Sequence, residues 1–351
     1  MPKRQFASDN HAPIVREVIE QILRANTNHA PAYGEDQITR NAKLEIARFL
    51  GRGNGDTDNI QFVPTGTGAN VLCLSSFCQT WEAVLCHELS HMNTDECAAP
   101  ELTGHLKLLP LTGDFGKIDL NHAASIMNRV HGIHGVKPTV ISVTQVTELG
   151  TVYSLEELAA IRDFADEHNL KLHIDGARLF NALITLGIDA PTFIKHIRPD
   201  ALSLGGTKIG GMICEAAYLF DYPQENELIP EYLRKQMAQL VSKGRFISAQ
   251  WLGLLRDDVA LRYAAKANAM AELLENKIAE ADVRILQKRE ANSLFVELWP
   301  DEAETLLEKG WLFYNFLEPR QYRLMTSWDT EESDIDEFIE DIKPITAART
   351  I

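Results

Sequence analysis

The stretch HIDGARLF at residues 173–180 is the strongest indication of the fold. In it an apolar, strand-like run ends at an acidic residue, Asp175. The stretch SLGGTKIG at 203–210 follows, and it places Lys208 in a turn of small residues 33 positions later. An apolar run precedes each of the two residues, and a helix is predicted between the runs. Such a pattern predicts neighbouring parallel strands, whose carboxyl ends border the crevice in which ligands bind.

Asp175 and Lys208 together form a pair that suits pyridoxal 5'-phosphate (PLP). A lysine amine in a partly desolvated crevice forms a Schiff base with an aldehyde, and a nearby carboxylate keeps a pyridine nitrogen protonated. The pair therefore predicts a PLP enzyme. Two ordinary roles stay open for the same residues, since Asp175 can cap a helix and Lys208 can be a solvated loop residue.

The segment QFVPTGTGANVLCLSSF at 61–77 predicts a phosphate site. An extended run leads into Thr65, Gly66, Thr67 and Gly68, and an apolar helical run follows. Free N–H groups at a helix start, the positive end of the helix dipole and the two hydroxyls can hold a phosphate. The segment matches neither a P-loop nor a dinucleotide fingerprint, and a plain tight turn is the alternative.

The residues HELSH at 87–91 formally match the zinc motif H-E-x-x-H. In zinc enzymes the motif lies inside a helix, which sets both histidines on one face with the glutamate as base. Here it follows a strand-like run and precedes a segment without a clear helical period. Three interpretations stay open: a zinc site, histidines satisfied within the protein, and a histidine lying flat on the PLP ring.

The composition agrees with a soluble enzyme. The 351 residues, 45% of them hydrophobic, suffice for a buried core. The net charge of −16 repels nucleic-acid phosphates, and no apolar run approaches the ~20 residues of a membrane span. The five cysteines lie in apolar contexts and the start of the chain lacks a signal peptide, which predicts buried thiols in a cytoplasmic protein.

Strand and helix patterns alternate from the phosphate turn to about residue 220, which predicts an α/β fold with a mostly parallel sheet. Helical stretches are predicted at about 228–250 and 258–281, and a small α+β domain follows. We expect an N-terminal arm and first helix at 1–25, a large cofactor-binding domain at 26–250 and a small C-terminal domain at 251–351.

Nine motifs stand in order along nearly the whole chain: FASDN at 6–10, AYGED at 32–36, TGTGAN at 65–70, SHMNTDE at 90–96, SVTQVTELGTVYS at 142–154, DGAR at 175–178, GGTKIGG at 205–211, the segment 234–250 and RLMTSWDT at 323–330. Together they resemble the L-threonine aldolases of the beta-eliminating lyase group, and most of all the low-specificity bacterial members. The resemblance implies a large domain of the fold-type I, PLP-transferase-like kind.

The resemblance also implies a reaction, the reversible retro-aldol cleavage of L-threonine, L-allo-threonine and related 3-hydroxy-2-amino acids to glycine and an aldehyde. In that reaction Lys208 carries the cofactor, and Asp175 holds the pyridine nitrogen protonated. The resemblance places Arg178 near the cofactor and the substrate carboxylate. Arg323 matches a second carboxylate arginine, whose planar fork suits bidentate capture, and Ser8 donates to the same carboxylate.

His91 resembles the family's ring-stacking histidine, and His134 resembles a second active-site histidine that contacts the substrate hydroxyl. The proton acceptor stays open among His91, His134 and a bound water. Arg245 resembles an arginine that reaches the cofactor phosphate from a neighbouring subunit, and Tyr33 lies near the same neighbouring site. The resemblance thus implies a homo-oligomer, a dimer of dimers, with shared active sites.

Other functions remain as alternatives. PLP also supports transamination and β-elimination, because these reactions share one carbanion and differ in which bond stands perpendicular to the ring. A zinc peptidase and a non-catalytic binding protein are the two remaining classes. The joint presence of Lys208, Asp175, Arg178 and Arg323 argues against a binding protein.

Overall fold

The centre of the molecule, in a computed structural model, is a seven-stranded sheet. The structure describes residues 5–53, 56–130, 132–226, 228–317 and 319–347. The strands of the sheet are β1 (Ile60–Val63), β2 (Glu82–His87), β3 (Lys107–Leu111), β4 (Lys137–Thr144), β5 (Lys171–Gly176), β6 (Ala201–Gly205) and β7 (Glu215–Leu219). Their order is β1-β7-β6-β5-β4-β2-β3, and β7 runs antiparallel to both its neighbours while the other pairs are parallel. The predicted α/β fold with a mostly parallel sheet is confirmed.

The apolar composition of the strands agrees with their burial in the sheet. Every residue of β2 and of β6 is buried, as is typical of central strands that are covered on both faces.

The helices of this part of the chain are α1 (Arg16–Ala25), α2 (Gln37–Phe49), α3 (Gly66–Ser75), α4 (His91–Thr94), α5 (Ala99–Leu102), α6 (Leu120–Met127), α7 (Leu155–Glu167), α8 (Leu179–Leu186), α9 (Ala190–Ile197), α10 (Ile229–Gln236) and α11 (Arg245–Leu255). Capping side chains begin several of them, such as the Ser154 and Glu157 capping box of α7.

The prediction of a single helix over 228–250 is wrong. Helix α10 ends at Gln236 and α11 begins at Arg245, with a loop between them. Ala238 in that loop has a φ of 59°, which lies in the left-handed region and cannot continue a right-handed helix. Arg245 is therefore the first residue of a new helix.

The C-terminal part has its own antiparallel sheet in the order β10-β11-β9-β8. Its elements are α12 (Val259–Ala279), β8 (Arg284–Ile285), β9 (Ser293–Glu297), α13 (Pro300–Glu308), β10 (Tyr314–Asn315), β11 (Gln321–Met325) and α14 (Glu332–Ala347). This sequence of elements agrees with the predicted α+β pattern.

The N-terminal arm belongs to this small domain. Phe6 packs in the small-domain core, and its backbone N–H donates to Leu312 O at 2.9 Å. Its carbonyl accepts from Met325 N at 2.8 Å. The first half of α12 packs in the core beneath the main sheet and the second half in the small core, so the core changes within α12. Residue 250, the predicted boundary, lies inside α11, and the division into domains stays a prediction.

Candidate active site

The site is centred on Asp175, near the carboxyl end of β5. Its Oδ1 accepts from Ala177 N at 3.0 Å, and its Oδ2 accepts from Asn70 Nδ2 at 3.0 Å. Asn70 lies on α3, just after the predicted phosphate turn. The buried carboxylate is thus held in one orientation by two separate elements.

Asn70 continues a chain of hydrogen bonds to His91. The same Nδ2 donates to Glu96 Oε1 at 2.9 Å, and that oxygen also lies 2.9 Å from His91 Nδ1. The hydrogen bond to Glu96 raises the pKa of His91, against the opposing effect of burial. Glu96 therefore stabilises the protonated form of His91 relative to that of a free histidine, and we call Asp175, Asn70, Glu96 and His91 the pyridine network.

The zinc interpretation of HELSH does not fit the structure. His87 is the last residue of β2 and His91 is the first of α4, so the two histidines do not share a helix face. His87 Nδ1 accepts from Leu89 N at 3.0 Å, and its Nε2 lies 3.0 Å from Gly113 O. Within the described ranges, no group of three or more His, Cys, Asp or Glu side chains is arranged to hold a metal. His87 serves the packing of this turn.

Lys208 lies in the turn after β6, beside the end of β5. A Cβ on Gly205 would lie 2.8 Å from the Ala177 backbone, so glycine permits this close approach of the two strand ends. Burial lowers the pKa of Lys208, and the charge of Arg178 lowers it further. A lowered pKa increases the fraction of neutral amine, the nucleophilic form.

The predicted phosphate turn begins α3. Thr65 is the N-cap, and its Oγ1 accepts from Gly68 N at 3.0 Å. Gly66 and Thr67 open the helix at its positive end, where N–H groups lack partners within the helix. The neutral side chain of Gln239 reaches this turn from the α10–α11 loop, with its Oε1 3.3 Å from Thr65 Oγ1.

A buried acid, Glu215, lies between the lysine turn and the phosphate turn. Its Oε1 accepts from Thr207 N at 3.3 Å, and burial raises its pKa to about 7. Sequence analysis missed Glu215, although an acid directly before the apolar run of β7 is itself a signal.

Arg178 is paired with Asp9, which sequence analysis also missed. The Arg178 Nε and Nη2 atoms donate to the two Asp9 oxygens at 2.7 and 2.9 Å. Burial favours a higher pKa for Asp9, but the Arg178 guanidinium outweighs it and holds the pKa below its ordinary value. Ser8 precedes Asp9, and its Oγ accepts from Asn10 N at 3.2 Å, so its own hydroxyl proton can still be donated.

Arg323 reaches the same side of the cleft from β11. Its Nη2 donates to Ala7 O at 3.3 Å, whereas its buried Nε has no hydrogen-bond partner among the described residues. Burial lowers the pKa of Arg323 to about 10, and the charge of Arg178 acts in the same direction. Two like-charged arginines close together are an arrangement that favours an anionic ligand.

The structure does not bring His134 to this site. It is exposed in a short turn, Gly132–His134, that precedes β4, and so it lies at the amino end of that strand. Asp175 lies at the carboxyl end of the adjacent parallel strand, on the opposite edge of the sheet. The expectation of a second active-site histidine at position 134 is therefore corrected.

Tyr33 and Arg245 lie together on another surface. The Tyr33 backbone N–H donates to Ser242 O at 2.9 Å in the α10–α11 loop, and its ring is about half exposed. Arg245 Nη1 donates to the main-chain oxygens of Thr27 and Asn28. Neither side chain makes a described hydrogen bond to the phosphate turn of its own chain.

The residues at the sheet edge fit PLP. They supply a lysine of lowered pKa, a fixed carboxylate, a helix N-terminus and a histidine. Buried polar atoms without a described hydrogen-bond partner also converge here: Asn70 Oδ1, Glu96 Oε2, Glu148 Oε2 and Arg323 Nε. Buried polar atoms of this kind are normally satisfied, so a polar ligand is expected to complete the site.

Comparisons with known proteins agree with this geometry. The beta-eliminating lyase family profile matches residues 5–299. The low-specificity L-threonine aldolase of a Pseudomonas species is 39% identical over 98% of this chain and 99% of its own length. A threonine aldolase structure from Leishmania major superposes with a TM-score of 0.89 at 27% identity, over 97% of this chain and 99% of that one. An aminotransferase from Staphylococcus aureus shares the fold, with a TM-score of 0.71 at 16% identity over 99% of this chain and 94% of that one. In the part of the chain that is described, no helix is long and apolar enough to cross a bilayer.

Proposed function

The chain belongs to the beta-eliminating lyase family, and on that premise we propose that it is a PLP-dependent L-threonine aldolase. It cleaves L-threonine, L-allo-threonine and related 3-hydroxy-2-amino acids reversibly to glycine and an aldehyde. The similarity to low-specificity L-threonine aldolases spans almost the whole chain, which favours this reaction over transamination and β-elimination.

The pyridine network and Lys208 would hold the cofactor ring. Bound PLP supplies an electron-withdrawing ring that takes up the electron pair of the breaking Cα–Cβ bond. Asp175 would keep the ring nitrogen protonated, and Asn70 fixes the orientation of that carboxylate. Lys208 would bind the cofactor covalently, and His91, which is fixed by Glu96, would contact the ring.

The phosphate turn would hold the other end of the cofactor. The N–H groups of Gly66 and Thr67 and the hydroxyl of Thr67 would be the donors. Gly68 N–H donates to Thr65 Oγ1 and the Thr65 hydroxyl donates to Gln239, so Thr65 and Gly68 would contribute by holding the shape of the turn. We propose that a neighbouring subunit supplies Arg245 to the phosphate and Tyr33 to the substrate side. The enzyme is then a homo-oligomer, a dimer of dimers, with shared active sites.

The substrate carboxylate would bind between Arg323, Arg178 and Ser8. Arg323 has a buried N–H to donate, and Arg178 is held in place by its bidentate pair with Asp9. Anchoring the carboxylate in this way would fix the orientation of the substrate, so that its Cα–Cβ bond has a set direction relative to the ring. That direction would determine which bond breaks.

We also propose a cytoplasmic location. All five cysteines are free thiols and four of them are buried. Burial raises the pKa of Cys73, Cys78 and Cys86 to about 12, so these thiols are inert. Buried, inert thiols are compatible with a reducing compartment.

One observation carries the proposal: a hydrogen-bonded chain joins Asp175 to His91 beside a lysine of lowered pKa. We expect the purified protein to be yellow and borohydride to trap the cofactor on Lys208. Lys208→Ala should abolish release of glycine and acetaldehyde from L-threonine, while chelators leave the wild type active. A colourless protein that gains no absorbance with PLP, or a label on another lysine, contradicts the proposal.

A further inference from the structure

Glu148 lies in the site without a role in the scheme above. It follows β4 at the carboxyl edge of the sheet, next to the pyridine network. Its Oε1 accepts from His91 N at 2.7 Å and from Thr144 Oγ1 at 2.9 Å. One carboxylate oxygen thus ties Glu148 to the start of α4 and to the end of β4.

The second oxygen of Glu148 is free to act. Oε2 is buried and has no hydrogen-bond partner among the described residues. A carboxylate with one anchored and one unused oxygen has a fixed orientation and an open acceptor site. Its ligand must bring a hydrogen-bond donor, and the 3-hydroxyl is a donor that every substrate of the proposed reaction carries.

Hydrogen bonding and electrostatics both bear on the choice of Glu148 as the acceptor. Burial, and then the negative charge of Asp175, raise the pKa of Glu148 to about 7. His91 Nδ1 is already bonded to Glu96 Oε1, and this hydrogen bond raises the pKa of His91. The groups that interact electrostatically with Glu148 from the surrounding elements are Cys86, His91, Tyr153, Asp175 and Arg178.

We propose that Glu148 Oε2 accepts the proton of the substrate 3-hydroxyl as the Cα–Cβ bond breaks, an inference that rests on the proposed function. The O–H bond breaks and its electron pair forms the C=O π bond of the aldehyde. The electron pair of the Cα–Cβ bond moves toward Cα and the bound cofactor, and Cα is later protonated to give glycine. No other reactant is needed, because the proton on Glu148 is returned to solvent or to Cα.

A purely structural role for Glu148 can be tested, because substitution by glutamine separates hydrogen bonding to α4 and β4 from acceptance of a proton. In Glu148→Gln the amide oxygen still accepts from His91 N and Thr144 Oγ1, so the ties to α4 and β4 persist. The variant lacks a carboxylate that can take up a proton. Glu88→Gln is the matched control, since Glu88 is an exposed acid three residues before His91 and would be the base in a zinc site.

The experiment compares two reactions of the same holoenzyme. Cleavage of L-threonine requires removal of the hydroxyl proton, whereas exchange of the glycine Cα hydrogen with deuterated water does not. We expect Glu148→Gln to lose about 10²–10⁴-fold in kcat for cleavage, as for loss of a general base, while glycine exchange stays within about threefold. Glu88→Gln should leave both rates unchanged. Cleavage by Glu148→Gln within tenfold of wild type, or an equal fall in both reactions, overturns the proposal.

Wild-type enzyme gives a second test that needs no variant. Because the acceptor must be ionised, kcat for cleavage should fall as the pH drops below about 7, and glycine exchange should lack that acid limb. The same limb in both reactions overturns the proposal. PLP binding to the apoprotein, followed by absorbance, should be equal in wild type and Glu148→Gln. A wild type that exchanges glycine but does not cleave L-threonine shows instead that the proposed function has failed.

Discussion

The pyridine network and the phosphate turn both use residues from the first half of one helix, α3, yet they are built differently. In the pyridine network every link joins side chains of one chain, from Asp175 through Asn70 and Glu96 to His91. At the phosphate turn a neutral amide, that of Gln239, contacts Thr65, while Arg245 donates to the main-chain oxygens of Thr27 and Asn28. This difference between the two regions is consistent with the proposed oligomer, in which one chain supplies the whole pyridine network and a neighbouring chain adds Arg245 to the phosphate site.

The largest expected effect comes from breaking the pyridine network at Asp175. Asp175→Ala removes the buried partner of the protonated ring nitrogen, and breaking a buried ion pair costs about 3–5 kcal/mol. We expect a loss of about 10²–10³-fold or more in kcat/KM for L-threonine. Steady-state kinetics at saturating PLP measure this effect. A loss below tenfold contradicts the assignment of Asp175 to the ring nitrogen.

Arg323 sharpens the comparison because it belongs to neither the pyridine network nor the phosphate turn. Arg323→Ala removes a charge-assisted hydrogen bond to the substrate carboxylate, which costs about 1.5–3 kcal/mol, or roughly 10–150-fold in substrate affinity. The yellow colour should remain, since both cofactor ends are intact. Arg320→Ala is the control, because Arg320 stacks on Trp299 at 4.3 Å and pairs with Glu297 outside the site. Loss of colour in Arg323→Ala means that the arginine binds cofactor instead.

The phosphate end is tested by mixing subunits. If Arg245 serves a neighbour, each dimer of Lys208→Ala and Arg245→Ala chains has one site with both lesions and one with neither. Random mixing should then restore up to about a quarter of wild-type activity, since half the dimers are mixed and half of their sites are intact. Co-expression with proof of mixed dimers measures it. Activity equal to the sum of the separate variants shows that Arg245 serves its own subunit or no site.

The smallest expected effect is a change in the pKa of His91, a member of the pyridine network. Glu96→Gln should lower the pKa of His91, because the hydrogen bond that His91 donates to the Glu96 carboxylate raises it. A raised histidine pKa stabilises the folded protein at pH values below the unfolded pKa, and this stabilisation is lost as the pH rises through the folded pKa. The stability difference between the proteins should therefore be confined to acidic pH, and it is small because the His91 side chain is 43% exposed. Proton NMR of His91 measures the shift, and an unchanged His91 pKa contradicts the network.

Much of the fold was predictable because its signals are local. The carboxyl end of the strand at Asp175 is visible in a few consecutive residues of the sequence. The same is true of the small-residue turns at Thr65 and Lys208. The helix over 228–250 was mispredicted because Ala238 adopts a left-handed conformation without a glycine to announce it. Local patterns reveal strand ends and glycine-rich turns, but not every break in a helix.

The partners within the site were not predictable, because they are separated widely in sequence. Asp9 meets Arg178 across 169 positions, and Asn70 meets Asp175 across 105. His134, eight residues before Ser142, was predicted from its resemblance to a second active-site histidine of the family, but the direction of β4 places it at the end of the strand away from Asp175. The acid that does lie at the right edge, Glu148, is part of a quoted motif whose side-chain direction only the fold reveals.

The binding of Phe6 between Leu312 and Met325 has a consequence for how the enzyme is made. The ribosome releases residues in order from the N-terminus, so the arm that carries Ser8 and Asp9 emerges long before its partner strand and must wait for it. Arg323 and β11 are also synthesised after the lysine turn, the ring carboxylate and the phosphate turn. In the proposed enzyme the residues assigned to the cofactor are therefore made before the arginine assigned to the substrate carboxylate, and substrate recognition would follow cofactor binding during synthesis.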